Sequence, residues 1–153
     1  MTFRQLSQEE FVNHSASCDQ RSFMQTVELE KLLAKRGFTC QYVGHTNEHG
    51  ELTISAVLYS MPMTGGLHME INCGPVSTNP HDLQHFYREL KTYAKENGAL
   101  ELVVKPYETY QTFDSNGQPT SLEKTELIKE LTDLGYEFDG LQTGYPGGEP
   151  DWH

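Results

Sequence analysis

Residues 79–106 have the sequence NPHDLQHFYRELKTYAKENGALELVVKP, in which a helical pattern leads directly into a strand pattern. The pair Asn79-Pro80 supplies an N-cap and a proline at the first helical position, and apolar residues then recur at helical spacing as far as Gly98. The run 99–104 is short and apolar, which is typical of a buried strand, and Lys105-Pro106 ends it. A helix that leads into a buried strand predicts an α/β protein.

The part of the chain before this helix contains a strand, two helices and a meander. An opening strand near Phe3 precedes a capping box at Ser7-x-x-Glu10, which predicts a helix to about residue 17. Apolar residues at helical spacing predict a second helix over 24–36, and Gly37 is suited to end it. Alternation of apolar residues then predicts three antiparallel strands, at 38–46, 51–61 and 67–72.

The part after Pro106 is expected to begin with a loop. A capping box at Thr120-x-x-Glu123 predicts a helix that ends at Gly135, and residues 136–138 are expected to begin a last strand. The predicted order is therefore β-α-α-β-β-β-α-β-α-β, a mixed sheet flanked by helices. This order resembles the GNAT (acyl-CoA N-acyltransferase) fold, and fold alone does not determine function.

Composition limits the classes of function. The 153 residues carry a net charge of −11, so this segment is not expected to bind RNA, because such binding requires Lys and Arg to neutralise phosphates. The sequence has three cysteines, and none is part of a C-x-x-C motif that would suggest a metal site. No apolar run approaches the ~18 residues of a spanning helix and no secretory signal is present, so a cytoplasmic location is expected.

The residues argue against two common kinds of site, a pyrophosphate-binding loop and a metal site. An acetyl-CoA enzyme of this fold would bind pyrophosphate through backbone N–H groups after its fourth strand, but the segment 73–80 has one glycine and two prolines. No cofactor is therefore expected. His81 and His85 have the i, i+4 spacing of metal ligands, yet no third ligand lies nearby, and a solvated helix face is the prediction.

Two further segments leave alternatives open. Tyr107-Glu108-Thr109-Tyr110 follows the carboxyl end of the predicted buried, central strand, where open α/β sheets usually bind ligands, or else its Tyr rings only cap the sheet edge. Lys35-Arg36 lies in the last turn of the second helix. It either complements the helix dipole or contacts a phosphate.

Several segments together resemble the FemABX family, most of all its MurM/MurN-like branch. The resemblance occurs in family order from Phe3 to about Gly144. It is carried by Phe23-Met24-Gln25-Thr26-Val27, Gly37-Phe38, Val43-Gly44, Met61-Pro62-Met63, Gly74-Pro75-Val76, Leu90-Lys91-x-Tyr93-Ala94-Lys95, Lys105-Pro106 and Leu134-Gly135-Tyr136-Glu137.

The resemblance implies a tRNA-dependent aminoacyltransferase of peptidoglycan synthesis. Such an enzyme moves an amino acid from aminoacyl-tRNA to the stem peptide of a lipid-linked or UDP-linked muramyl pentapeptide, and builds interpeptide bridges without a cofactor. Family members have two GNAT-like domains. Residues 1–144 would be the N-terminal domain and 145–153 a linker toward an absent second domain, which would hold the tRNA. The fragment alone is expected to be inactive. The resemblance also allows peripheral association of the protein with the inner face of the membrane.

The sequence departs from the family at three places. The family's Trp-x-x-x-Lys, whose Lys contacts the precursor phosphate, corresponds here to Leu29 and Leu33. The family's Asp-Pro, which shapes the peptide cleft, is Lys105-Pro106, and Cys73 stands where relatives have Arg. No catalytic residue is assigned. The expected substrate-binding residues are Lys31, Lys35, Lys105, Tyr107 and Tyr110. A small-molecule N-acetyltransferase and a non-catalytic binding module are the alternatives.

Overall fold

The computed structural model describes residues 2–141, and the chain forms two compact units, Met1–Tyr107 and Glu108–His153. The predicted linker 145–153 and the boundary before it lie outside the described residues. Within the described part, no helix has the length and apolar character needed to cross a membrane.

The first unit is a mixed sheet with helices, which confirms the predicted fold class. Its strands are β1 (Thr2–Leu6), β2 (Thr39–Thr46), β3 (Leu52–Met63), β4 (Gly66–Asn72), β5 (Val76–Ser77) and β6 (Ala99–Lys105). Its α-helices are α1 (Gln8–Ala16), α2 (Val27–Lys35) and α3 (Leu83–Glu96), and 3₁₀ turns occur at Phe23–Gln25 and Pro80–Asp82. The strand order is β1-β2-β3-β4-β6, antiparallel from β1 to β4 and parallel between β4 and β6, while β5 pairs with β3.

The helices cover opposite faces of the sheet, because successive residues of β2 point to opposite sides. Tyr42 stacks on Phe11 of α1 with ring centroids 4.6 Å apart, and its hydroxyl donates to Glu30 of α2. On the other face, His45 lies 2.9 Å from Glu89 of α3. Therefore α1 and α2 share one face, and α3 covers the other.

Local sequence signals account for the helix ends. The Ser7 hydroxyl accepts from the Glu10 N–H at 3.2 Å and the Glu10 carboxylate accepts from the Ser7 N–H at 2.9 Å, so the predicted capping box is complete. The Asn79 side chain accepts from the His81 N–H, as an N-cap should, although the first turn is 3₁₀. Gly98 follows α3 with φ +83°, a left-handed conformation that suits glycine.

The prediction of a buried, central strand at 99–104 is wrong. In the first unit β6 lies at the end of the strand order, and Leu100 is 61% exposed. The apolar composition of this strand was misleading, because burial depends on which elements cover the strand.

The second unit contains one described helix, α4 (Glu126–Asp133). The helix does not begin at the predicted capping box Thr120-x-x-Glu123, because its N-cap is Thr125, which makes no side-chain cap hydrogen bond. Gly135 has φ +88° after the helix, as predicted. No strand forms at 136–138, so that prediction is wrong.

Candidate functional site

Lys105 lies at the carboxyl end of β6 and forms an ion pair with a carboxylate of the neighbouring strand. Its Nζ atom is 2.8 Å from Oε1 of Glu70, and parallel pairing sets Lys105 opposite Asn72. The Lys105 side chain is 46% exposed, whereas that of Glu70 is 11% exposed. A half-exposed ammonium group can contact a ligand while a buried carboxylate keeps it in place.

His68 extends this ion pair along the sheet. Its Nε2 lies 3.0 Å from Glu70 and its Nδ1 lies 2.7 Å from Glu101. Ionised carboxylates only accept hydrogen bonds, so the ring can serve both of them only as the doubly protonated imidazolium. Burial by itself would lower the pKa of His68, but the hydrogen bonds to Glu70 and Glu101 outweigh burial and raise that pKa.

The same interactions keep Glu70 ionised. Burial by itself would raise the pKa of Glu70, yet the hydrogen bonds from Lys105 and His68 hold it below the ordinary value of a carboxyl group. Tyr59, opposite Glu70 in register, also hydrogen bonds to it. The pKa of His68 is raised and that of Glu70 is lowered, as expected when a protonated ring lies beside an ionised carboxylate.

These five residues form one polar strip on the sheet. The register pairs His68 with Glu101 and Asn72 with Lys105, so the alternate residues of β4 and β6 point to one side. Tyr59 lies two residues from Val57, which is opposite Tyr42 in register and therefore on the α1 and α2 face. The polar strip, on that face, consists of Tyr59, His68, Glu70, Glu101 and Lys105.

Among the predicted residues, only Lys105 belongs to the polar strip. Lys31 lies on the rim of a groove of about 520 Å³ formed by α1, α2 and their connection, where Arg21 supplies a second cation. Lys35 is exposed in the last turn of α2, which leaves its helix-dipole role and a phosphate contact both open. Tyr107 follows β6 and is half-buried.

Tyr110 belongs to the second unit. Its carbonyl accepts a hydrogen bond from the N–H of Lys124 at 2.9 Å. A hydrogen bond to the Glu123 carboxylate raises the pKa of the Tyr110 hydroxyl. The hydroxyl is therefore a neutral hydrogen-bonding group of that unit.

The departures on α2 have a structural explanation. Leu29 is 5% exposed and Leu33 is 9% exposed, so both pack into the core. A lysine at either position would place an ammonium group among apolar side chains, which is costly without a partner. The phosphate contact implied by the family pattern is therefore absent from those two positions.

The predicted solvated face holds for His81, which is exposed in the 3₁₀ turn, but His85 of α3 is partly buried. His45 is fully buried, bonds to Glu89 and stacks on His85 with ring centroids 6.2 Å apart. Within residues 2–141, no group of three His, Cys, Asp or Glu side chains could hold a metal ion. These contacts join β2 to α3 and support a structural role.

Sequence reasoning missed His68, Glu70 and Glu101. The segment 67–72 alternates apolar and polar residues, which was enough to place His68 and Glu70 on one face of a strand. Their contact with β6 depends on parallel pairing across 33 residues between His68 and Glu101, and no local pattern indicates that pairing.

Comparison with known proteins gives the family. The model of the FemAB family matches residues 6–153. Aminoacyltransferase FemB of Staphylococcus epidermidis is 25% identical over 148 residues, which is 95% of this chain and 36% of FemB. This chain therefore spans about a third of the length of the curated relatives it matches.

Solved structures agree on the fold. The crystal structure of FemX superposes with a TM-score of 0.70 at 18% identity, covering 94% of this chain and 34% of FemX. The ribosomal-protein-alanine N-acetyltransferase of Brucella melitensis biovar Abortus 2308 gives a TM-score of 0.55 at 16% identity, covering 94% of this chain and 97% of that chain. The mixed sheet is thus GNAT-like, and the extent of the family match shows that the chain belongs to the FemAB family.

Proposed function

We propose that this chain is the acceptor-binding part of a peptidoglycan aminoacyltransferase. Its membership of the FemAB family and its similarity to a protein named aminoacyltransferase FemB support this class of reaction. The acceptor would be the stem peptide of a lipid-linked or UDP-linked muramyl pentapeptide. The donor would be an aminoacyl-tRNA.

The proposed reaction is aminolysis of an ester. The uncharged amine of the stem peptide attacks the ester carbonyl, the new amide bond forms and the bond to the tRNA ribose oxygen breaks. The amine loses a proton and the ribose oxygen gains one, so no oxidant or cofactor is consumed. The protein must hold the two reactants close and stabilise the developing oxyanion.

The observation that carries the proposal is the polar strip along β4 and β6, in which the side chains of Lys105 and Glu101 are about half exposed. Lys105 offers an ammonium group to a carboxylate of the stem peptide, and Glu70 fixes its direction at 2.8 Å. Glu101 is 55% exposed and offers a carboxylate along the same strip. A peptide with charged groups of both signs is suited to such a surface.

The donor tRNA is assigned to another part of the protein. A net charge of −11 opposes the binding of a polyanion by this chain. The greater length of FemB leaves room for a second domain with that role.

The rival function is acetyl transfer from acetyl-CoA, which the fold permits. However, several of the backbone N–H groups after β4 already donate hydrogen bonds within the protein. The Gly74 N–H donates to the Lys105 carbonyl, and the Thr78 N–H donates to the Thr53 carbonyl. The Asn79 N–H donates to the Ser77 hydroxyl, and the N–H groups of His81 and Asp82 both donate to oxygens of Asn79. A pyrophosphate would have to displace these bonds, whereas cofactor sites present free donors.

Titration with the UDP-linked muramyl pentapeptide tests the proposal. Lys105→Met should weaken binding about 10- to 150-fold, since a charge-assisted contact contributes roughly 1.5–3 kcal/mol and each 1.4 kcal/mol is tenfold. Lys95→Met, an exposed cation of α3, is the matched control and should leave the affinity unchanged. Equal affinity of both variants would remove Lys105 from the site, and no binding by the wild-type chain would overturn the proposed function. Stabilisation by millimolar acetyl-CoA would favour the rival.

A further inference from the structure

The ladder between β3 and its neighbour is interrupted near the polar strip. The pairing of β4 with β3 ends at Tyr59 opposite Glu70, and that of β5 begins at Ser55 opposite Val76. Residues 56–58 therefore face the bowed segment 71–75 without a strand partner on that side. Backbone groups along such a gap lose their ladder hydrogen bonds and need other partners.

The side chain of Gln25 fills this gap. Gln25 belongs to the connection between α1 and α2 and is only 2% exposed. Its Oε1 accepts from the Val57 N–H at 2.8 Å, and its Nε2 donates to the Asn72 carbonyl at 2.7 Å. Only this orientation of the amide satisfies both backbone groups, since Val57 needs an acceptor and Asn72 a donor.

Gly74 closes over the amide. A Cβ atom at Gly74 would lie 2.6 Å from Cδ of Gln25, so the glycine allows the bowed segment to pack on the side chain. The Gly74 N–H donates to the Lys105 carbonyl at 3.2 Å, and Asn72 is opposite Lys105 in register. Both residues that hold the end of β6 are thus in contact with Gln25.

We propose that Gln25 is a positioning residue of the acceptor site, which sets the place of Lys105 in the polar strip by holding the bowed end of β4. This inference rests on the proposed function. Gln25 acts through Asn72 and Gly74 and is not itself assigned a contact with substrate. Gln25 is distant from the polar strip in the sequence, and the proposal gives its side chain a physical role there.

The chemistry of the gap is specific for Gln. Asn is one methylene shorter and cannot span from the 3₁₀ turn to both strands in the same way. An ionised Glu has no donor for the Asn72 carbonyl, whereas a protonated Glu again offers one donor and one acceptor. Met has a similar length and offers no hydrogen bond of comparable strength.

The test compares three variants of the chain in precursor affinity and in the titration of Glu70. Gln25→Met removes both hydrogen bonds, and Gln25→Glu keeps the size should the first variant fail to fold. Ser55→Ala is the matched control, because it also deletes a buried hydrogen bond of β3, to His14 at 2.7 Å, without touching β4. Affinity for the UDP-linked muramyl pentapeptide is measured by calorimetry and the Glu70 carboxyl by NMR.

Gln25→Met is expected to weaken precursor binding about tenfold, and Ser55→Ala to change it less than about twofold. The pKa of Glu70 should rise toward its ordinary value in Gln25→Met only, because Lys105 moves away from it. For Gln25→Glu, affinity relative to wild type should recover as pH falls and the carboxyl protonates.

Three outcomes would overturn the inference. Binding by wild type that Gln25→Met leaves intact would remove Gln25 from the site and leave the proposed function standing. Equal loss of affinity in Ser55→Ala would show a general loss of stability. An unmoved Glu70 titration in Gln25→Met would reject the positioning role. Separately, if wild type does not bind the precursor, the proposed function itself fails.

Discussion

Substitution of Gly74 by Ala probes the packing of the bowed segment on Gln25. The backbone of Gly74 is not in the left-handed region, so alanine is allowed there by its dihedral angles. The obstacle is steric, because the added Cβ would lie 2.6 Å from Cδ and 2.9 Å from Cγ and Oε1 of Gln25. Carbon atoms normally touch at about 3.5–4.0 Å, so the overlap is about 1 Å.

The expected cost follows from what can move. Gln25 is held at both ends by buried hydrogen bonds of 2.7 and 2.8 Å, so its side chain cannot swing aside freely. Leaving a buried group unpaired costs about 1–3 kcal/mol, and overpacking costs a similar amount. Gly74→Ala should therefore lower the free energy of unfolding by about 2–4 kcal/mol, or Tm by about 4–16 °C for a chain of this size.

A double-mutant cycle with Gln25→Ala isolates this contact. Urea unfolding followed by circular dichroism gives the free energy of unfolding of wild type, both single variants and the double variant. In the Gln25→Ala background the clash is gone, and Gly74→Ala should be neutral or stabilise by about 0.4–1 kcal/mol through the unfolded chain. A cost of Gly74→Ala that is the same in both backgrounds would refute the packing argument.

Four further predictions concern helix ends, pH and the polar strip. Ser7→Ala should lower the free energy of unfolding by about 1 kcal/mol in urea, because it removes the N-cap of α1. Hydrogen bonding to Arg4 lowers the pKa of Glu10 to about 2, so its stabilisation is present above the unfolded pKa of 4.5 and lost as pH falls toward 2. Glu10→Gln should thus lower the urea midpoint at pH 7 and leave it unchanged near pH 2. Burial lowers the pKa of His14 below 6.5, so the unfolded chain binds the proton more readily and stability falls as pH drops below 6.5. His14→Gln should flatten this slope, and an unchanged slope would show that another group causes it. Lys105→Met should raise the pKa of Glu70 in an NMR titration, since its nearest cation is lost, and an unmoved pKa would contradict the ion pair.

The elements that sequence reasoning predicted correctly depend on local signals. The capping box at Ser7 and Glu10, the helix after Asn79 and the alternating strands of the meander each need only a few neighbouring residues, and all are present. The errors occurred where burial or pairing was decided elsewhere. Among the described residues, the run 99–104 lies at the edge of the sheet with Leu100 exposed, and residues 136–138 form no strand.

The candidate site shows the same division. Lys105 could be singled out from the sequence because it stands at the end of a predicted strand, where the family pattern has Asp. Its partner Glu70 could not, because the two residues meet only through the parallel pairing of β4 with β6. Lys31, predicted to bind substrate, lies at a separate groove between α1 and α2.

By itself, the sequence determined the α/β class, the ends of the helices and the resemblance to one family, since periodicity, caps and ordered motifs are properties of short segments. Only the tertiary structure decided which charges share the polar strip and that the Gln25 amide completes the sheet beneath Gly74. The physical reason is that hydrogen bonds and ion pairs act over a few ångströms, whereas His68 and Glu101 are 33 positions apart in the chain and Gln25 and Asn72 are 47 apart.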